Sequence, residues 1–563
     1  MSIQARPMQE VPEETRRVAQ AAFPKGNLYM RIRDELGEIY QDAQFADLFS
    51  NRGQPAEAPG RLALITVMQF AESKSDRQAA EAVRGRIDWK YALSLELTDP
   101  GFDYSILSEF RNRLLAGGRE QELLDSLIEA CKERGWLKAR GQQRTDSTHI
   151  LAAVRQLNRL ELVGETMRYA LNELAHTAPD WLGAVAQAEW FSRYAQRFDS
   201  IRLPNEPAKR AQLIEIIGVD GMYLLSVINE ATIREQLQRI DAVDILRQIW
   251  LQQYWLEYGT DDTPHIRLRS HDNQPPIEQR IQSPYDVEAR YGSKRTLQWV
   301  GYKAHLTETC EDDRVNLITH AETTSAAIQD MNMADPIHAA LAKKNVLPSE
   351  HLMDAGYIDG ELLFKAKIDL AVEVYGPVKK DVRWQAQAGQ GFGLADFKID
   401  WEHQTVTCPA QQQSSGWSQQ HNAYGQPVIH VKFKPKICQA CPSQECCTRS
   451  KRGARSLVLQ PQLQHEALQQ NRQAQQGSDF WKRYAKRSGI EGTISQAVRV
   501  CDLRRSRYIG QAKTRLQVIA TATAINLYRL FDWLMEIPRS VTRISPFARL
   551  APDPSLVAAS WRF

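Results

Sequence analysis

Tyr484, Arg487 and Glu491 are spaced by three and then four residues in DFWKRYAKRSGIEGTISQAVRVCDLRRSRYIGQAKTR, residues 479–515. On an α-helix that spacing sets all three side chains on one face. An acid is thereby flanked by a guanidinium and a phenol. Between 481 and 515 there are ten Lys or Arg against two acids, a net +8, whereas the whole chain carries only +3. Such a local excess suits a phosphate backbone as partner. One carboxylate inside it can hold a divalent cation, which would also neutralise phosphate. A solvated basic helix face is the plainer reading of the same charges.

Two further acids have unusual settings. Asp146 lies within QQRTDSTHILAAV, whose β-branched, alternating residues predict a strand. An acid on a strand that faces a core needs a partner, because an unpaired buried carboxylate is costly. HLMDAGYID predicts a short apolar strand ending at Asp354. That is the carboxyl end of a strand, where α/β sheets build their sites. Three carboxylates on two adjacent strands and a covering helix can hold two divalent ions for phosphoryl transfer.

Half of the eight cysteines fall between Cys438 and Cys447. Cys438-x-x-Cys441 is a knuckle spacing suited to tetrahedral zinc; Cys446 or Cys447 supplies a third thiolate and Cys408 a fourth. Cys131, Cys310 and Cys501 stand alone in apolar surroundings and are expected in packing.

These residues need elements to hold them. At 563 residues the chain has room for several domains, and 43% apolar with 25% charged residues is an ordinary soluble composition. The first residues have no apolar signal core, and no uninterrupted apolar run reaches membrane length. A cytoplasmic protein without a membrane partner is expected. The fold class expected is α/β, divided as follows. Residues 1–140 are an N-terminal helical domain, whose short helices suit a DNA-binding helix-turn-helix or a plain helical bundle, with Trp89, Phe110 and Leu114 in its core. Residues 141–154 hold the first core strand, and 155–284 a helical insertion and linker with Trp181, Trp190, Trp250 and Trp255 inside. Residues 285–379 continue the core with strand, strand, helix, strand, helix, strand, the first helix running from Ala326 through Pro336. Residues 380–475 are an insertion carrying the cysteine loop, 476–537 the last core helices, and 538–563 a tail.

The motifs TDSTHI (145–150), LMDAGYID (352–359) and YAKRSGIEGTISQAVR (484–499), in this order, resemble a bacterial insertion-sequence transposase of the DDE type. The last is similar to the Tyr-x2-Arg-x3-Glu signature of a transposase clan. The run EGTISQAVR…LRRSRYIGQAKTRLQ, the cysteine loop and DYSILSEFRNRL are similar to the insertion-sequence family numbered 1182. The clan's Lys seven residues after the Glu is Val498 here, and the next cation is Arg499. The resemblance implies an RNase H-like mixed sheet, with Asp146, Asp354 and Glu491 binding two Mg²⁺ (or Mn²⁺) per active site. It implies that Tyr484 and Arg487 contact phosphates of double-stranded DNA at the element's ends. Arg499, Arg504, Arg505, Arg507 and Lys513 join them as expected DNA contacts. It implies hydrolytic cleavage at the end, joining of the 3′-OH to target DNA, and a dimer or larger assembly at synapsis. Cys441-Pro-x4-Cys447-Thr448 resembles a family ending in which the residue before Thr is the ligand. The expected structural Zn²⁺ set is therefore Cys408, Cys438, Cys441 and Cys447, steadying Lys432, Lys434, Lys436, Lys451 and Arg452. Two rivals are a nuclease of the same fold that does not join strands, and a zinc-bearing DNA-binding protein whose three acids do not converge.

Overall fold

The computed structural model describes residues 2–3, 9–50, 52–201, 203–258, 264–379, 383–387, 391–422, 425–450, 453–538, 547 and 550. The molecule is mixed α/β and is built on a six-stranded mixed sheet. Its strands are β1 (Gln142–Leu151), β2 (Arg290–Lys294), β3 (Leu297–Thr309), β4 (Ile318–Ser325), β5 (Glu350–Met353) and β6 (Glu373–Tyr375). The order is β2–β3–β1–β5–β6, with β4 also on β3. β3 runs antiparallel to β1, while β1, β5 and β6 are mutually parallel. Along its other edge β3 pairs first with β2 and then with β4. β2 is not expected from the sequence, because RYGSK is short, polar and interrupted by Gly292.

The helix expected from Ala326 is shorter. A 3₁₀ turn, Asp330–Met333, leads into a helix at Ala334–Lys343. This places Pro336 in the first helical turn, where its missing N–H breaks no bond.

The main hydrophobic core runs without interruption from the N-terminal helices through the sheet to the last helix. It includes Phe45, Phe70, Trp89, Phe110, Leu114, Tyr302, Ile318, Ile490 and Leu527. Helices Pro59–Ala71 and Gln511–Leu534 are buried on nearly every side, as interior helices are. Asn526 on the second accepts from the Ile318 amide at 2.7 Å and donates to its carbonyl at 2.8 Å, so that the first residue of β4 is satisfied on its outer edge.

The insertion between β1 and β2 has its own core, with Trp190, Phe198, Leu224 and Trp250 buried. Its helix Pro207–Glu230 is long and apolar enough by length and composition to cross a membrane, although Glu215 and Asp220 interrupt its apolar run; Ile217, Leu224 and Ile228 pack it into this core. Tyr254–Tyr258, expected to continue a helix, is instead a strand paired with Pro264–Leu268, and Trp255 stands exposed on it. No helix breaker separates the two elements in sequence, so only the pairing distinguishes them. Beyond β6, two small sheets surround a compact apolar cluster of Phe397, Val406, Val431 and Phe433, against which the cysteine loop packs.

Candidate active site and cysteine cluster

Thr145 on β1 pairs with Met353 on the parallel strand β5. Asp146 and Asp354 follow these two residues, so they leave neighbouring strands at one level. Asp146 Oδ1 accepts the Ser147 amide at 2.8 Å, and Asp354 Oδ1 accepts the Ala355 amide at 2.7 Å. The remaining oxygens face one guanidinium. Arg487 Nη2 lies 2.6 Å from Asp146 Oδ2 and 3.8 Å from Asp354 Oδ2, while its Nη1 lies 2.9 Å from Glu491 Oε1. Three acids from distant parts of the chain therefore meet around one side chain, itself 12% exposed. Arg487 Nε is buried and has no hydrogen-bond partner among the described residues.

The segment carrying Tyr484, Arg487 and Glu491 is not the single α-helix that their spacing suggests. Ser478–Tyr484 is α-helical, Ala485–Ser488 is a 3₁₀ turn, and Gly489–Cys501 is α-helical again. The 3₁₀ turn winds more tightly, at about three residues per turn. Arg483 Nε bonds both carboxylate oxygens of Glu350 at 3.0 Å, which fastens the first helix to the start of β5. Tyr484 stacks on Phe480, which in turn stacks on Tyr375 of β6. Burial pushes the Tyr484 phenol up to about 12.

Burial also raises the Asp146 carboxyl above the ordinary carboxylate range, outweighing Arg487, Lys294 and the Ser147 amide. At Arg487 burial works against the charge, yet Asp146, Tyr484, Asp354 and Glu491 outweigh it and raise its pKa. The acids open on a cleft of about 910 Å³ that is also lined by Lys294, Lys303, Lys379, Arg499, Arg504 and a fourth acid, Asp330. Asp330 accepts from Ser147 Oγ at 2.9 Å and from Lys303 Nζ at 3.0 Å. Sequence reasoning missed Lys294, Lys303 and Asp330. Lys294 could have been found from the β2–β3 hairpin; Asp330 and Lys303 meet only through tertiary pairing.

The other basic residues expected on DNA divide into two groups. Arg504 lines the cleft and its Nε donates to Thr148 Oγ1 at 3.1 Å; Arg499 lines it too, exposed at the helix's end. Arg505 and Lys513 are exposed outside the cleft. Arg507 turns the other way: its guanidinium sits 4.9 Å over the Phe70 ring and donates to the Lys74 carbonyl at 3.2 Å. It joins the N-terminal helices to the segment that carries Arg487 and Glu491. Arg507→Ala is therefore expected to cost about 1–2 kcal/mol of stability in thermal or denaturant melts. The same variant should leave the salt dependence of DNA binding as in the wild type.

Cys408, Cys438, Cys441 and Cys447 line one pocket of about 30 Å³ together with Phe433 and Ile437. Cys446 is exposed and does not line it. Burial raises the Cys447 thiol, and Cys438, Cys408 and Cys441 raise it further against Arg455. Among the described residues, no group of three or more His, Cys, Asp or Glu side chains is drawn together tightly enough to hold a metal ion as it stands. Lys432, Lys434 and Lys436 are exposed beside the loop; Lys451 and Arg452 lie outside the described residues. Cys131, Cys310 and Cys501 are buried singly, and burial pushes each thiol up to about 12.

Two stretches match known protein families. Residues 407–531 match a transposase DDE domain, and residues 17–113 match a transposase domain (DUF772). The first stretch contains the four cysteines, Arg487 and Glu491 but begins after Asp146 and Asp354. No curated protein matches the chain. With a transposase domain near each end and an acid of the cleft inside one of them, the chain is a transposase.

Proposed function

We propose that this transposase binds the ends of its own insertion sequence, cleaves there by metal-assisted hydrolysis and joins the freed 3′-OH to target DNA. In this reading it is a relative of insertion-sequence family 1182. The sheet, with its central parallel strands and antiparallel β3, is then an RNase H-like core. The observation that carries the proposal is the meeting of Asp146, Asp354 and Glu491 around Arg487 inside a cation-lined cleft. It counts against a DNA-binding protein without catalysis, which gives no reason for three acids to converge.

Three carboxylates are hard oxygen donors suited to Mg²⁺ or Mn²⁺, and each turns one oxygen toward the Arg487 guanidinium. The donor chemistry suits two such ions, and Asp146, Asp354 and Glu491 would hold them by drawing closer than they now stand. Bound there, the ions would supply an activated attacking oxygen and charge stabilisation at the leaving one. Arg487 offers a forked donor for a backbone phosphate, and Lys294, Arg499 and Arg504 line the approach. The cysteine pocket is proposed as a structural Zn²⁺ site of Cys408, Cys438, Cys441 and Cys447, whose four thiolates leave no place for water. The protein acts on double-stranded DNA in the cytoplasm, as a homodimer or larger assembly when two ends are held together.

The test is incubation of the full chain, Mg²⁺ and a duplex carrying the DNA that flanks its gene, with a supercoiled target. Cleaved ends and joined products are expected. Cleavage without joining would favour a nuclease, and neither product would end the proposal.

Arg487 now plays two parts, counter-ion to the acids and phosphate donor. Arg487→Ala is accordingly expected to tighten Mn²⁺ binding in calorimetry, because a competing cation has been removed. It should also reduce the salt slope of end binding by about 1. An unchanged slope with full activity would take Arg487 out of the site.

A further inference from the structure

Beneath the three acids lies a buried ionic group that the proposed reaction does not use. Arg144 precedes Asp146 by two residues, so both side chains leave β1 on one face. Its cross-strand partner on β3 is Glu308, fully buried. Glu308 Oε1 accepts from Arg144 Nε at 2.7 Å and lies 2.6 Å from Nη2. Glu308 Oε2 accepts from Thr493 Oγ1 and from Arg529 Nη1, each at 2.6 Å. Thr493 belongs to the helix of Glu491, and Arg529 to helix Gln511–Leu534. Arg144 has one more bond, from Nη1 to the Lys486 carbonyl at 2.6 Å. That carbonyl lies in the 3₁₀ turn, one residue before Arg487. Gly489 makes the approach possible, since a Cβ there would overlap the Arg144 guanidinium.

We infer that Arg144, fixed by Glu308, is a positioning residue: it sets the turn and helix carrying Arg487 and Glu491 at the right distance from Asp146. The bonds of the Arg144–Glu308 pair reach elements that supply site residues: Arg144 shares β1 with Asp146 and bonds the carbonyl next to Arg487, and Glu308 bonds Thr493 on the helix of Glu491. A buried ion pair is weak evidence of stabilisation, since an apolar replacement is often as stable, whereas a planar guanidinium fixed at both ends is a stiff spacer. Glu308 stays ionised: burial opposes its charge, but Arg529 and Arg144 outweigh burial and hold its pKa below the ordinary value. The inference rests on the cleavage chemistry proposed above.

The experiment compares the wild type, Arg144→Lys, Gly489→Ala and the pair Arg144→Ala with Arg144→Ala/Gly489→Ala, in Mg²⁺ with the flanking-DNA duplex. Lysine keeps the charge beside Glu308 but cannot fork between Glu308 and the Lys486 carbonyl. Displacing reacting groups by about 1 Å can cost on the order of 10²-fold. A loss of kcat of about that size, with KM for the duplex unchanged and a fall in melting midpoint too small to account for it, is therefore expected for Arg144→Lys and for Gly489→Ala. Once Arg144 has been shortened, the alanine at 489 should cost little more, because the guanidinium it would strike is gone. Wild-type kcat in Arg144→Lys, or losses from 144 and 489 that simply multiply, would overturn the assignment. A fall in melting midpoint that accounts for the lost rate would also overturn it in favour of a structural role. If the wild type itself does not cut, the proposed function fails and this inference goes with it. A cutting wild type with fully active variants removes the inference alone.

Discussion

Asp146→Ala is expected to abolish cleavage of the element's end while leaving binding of that end intact. Asp146 sits mid-strand on β1 with one oxygen on its neighbour's amide and the other on Arg487. Removing it deletes the most buried of the three carboxylates at the reacting point. Metal-ion catalysis supplies several kcal/mol of transition-state stabilisation, and a loss of about 4 kcal/mol is about 10³-fold in rate. DNA binding has a different dependence. Arg487 keeps Asp354 and Glu491 as partners, and the cleft loses a negative charge, so attraction for phosphate does not fall. Single-turnover cleavage and gel-shift titration of the same duplex separate the two quantities. Binding lost in step with cleavage would make Asp146 a structural residue.

The second large effect is expected at the cysteines. Metal analysis should find one zinc per chain, lost in Cys438→Ser and kept in Cys446→Ser. The pocket lining excludes Cys446, and the thiols acting on Cys447 are those of Cys438, Cys408 and Cys441. The apolar cluster beneath the loop is small, so the loop itself has little else to hold it. Structural zinc in zinc-finger peptides is worth roughly 10–16 kcal/mol of binding free energy. Cys438→Ser should therefore expose the 380–475 insertion to protease while the six-stranded sheet stays protected. Zinc kept in Cys438→Ser and lost in Cys446→Ser would reverse the ligand assignment.

The strands β1, β3, β4, β5 and β6 are legible in the sequence because each joins β-branched or apolar residues to a turn or helix signal. Asp146 and Asp354 are legible because acids on apolar strands are conspicuous. The interrupted helix is not. A three-then-four spacing is compatible with continuous helix, and what narrows the turn is the Arg144 guanidinium bonded to a carbonyl in it. Nothing local announces that contact, since Arg144 stands far upstream. Arg507 shows the same limit from the other side. It belongs to a basic run and reads as one more DNA contact, yet tertiary packing spends it on Phe70. Net charge describes a neighbourhood, whereas the direction of one side chain depends on what folds against it.

The uninterrupted core has a consequence for how the protein comes into being. Helix Gln511–Leu534 fills the space between the N-terminal helices and the sheet. A chain leaves the ribosome at roughly 5–20 residues per second, with domains folding as they emerge. Here the N-terminal helices emerge early yet must wait for their innermost partner, and Glu491 emerges only shortly before it. A nascent chain that has not yet reached residue 491 thus lacks both a closed core and the third of these acids. Under the proposed function, a chain broken off before Glu491 would hold only two of the three acids and would not cut.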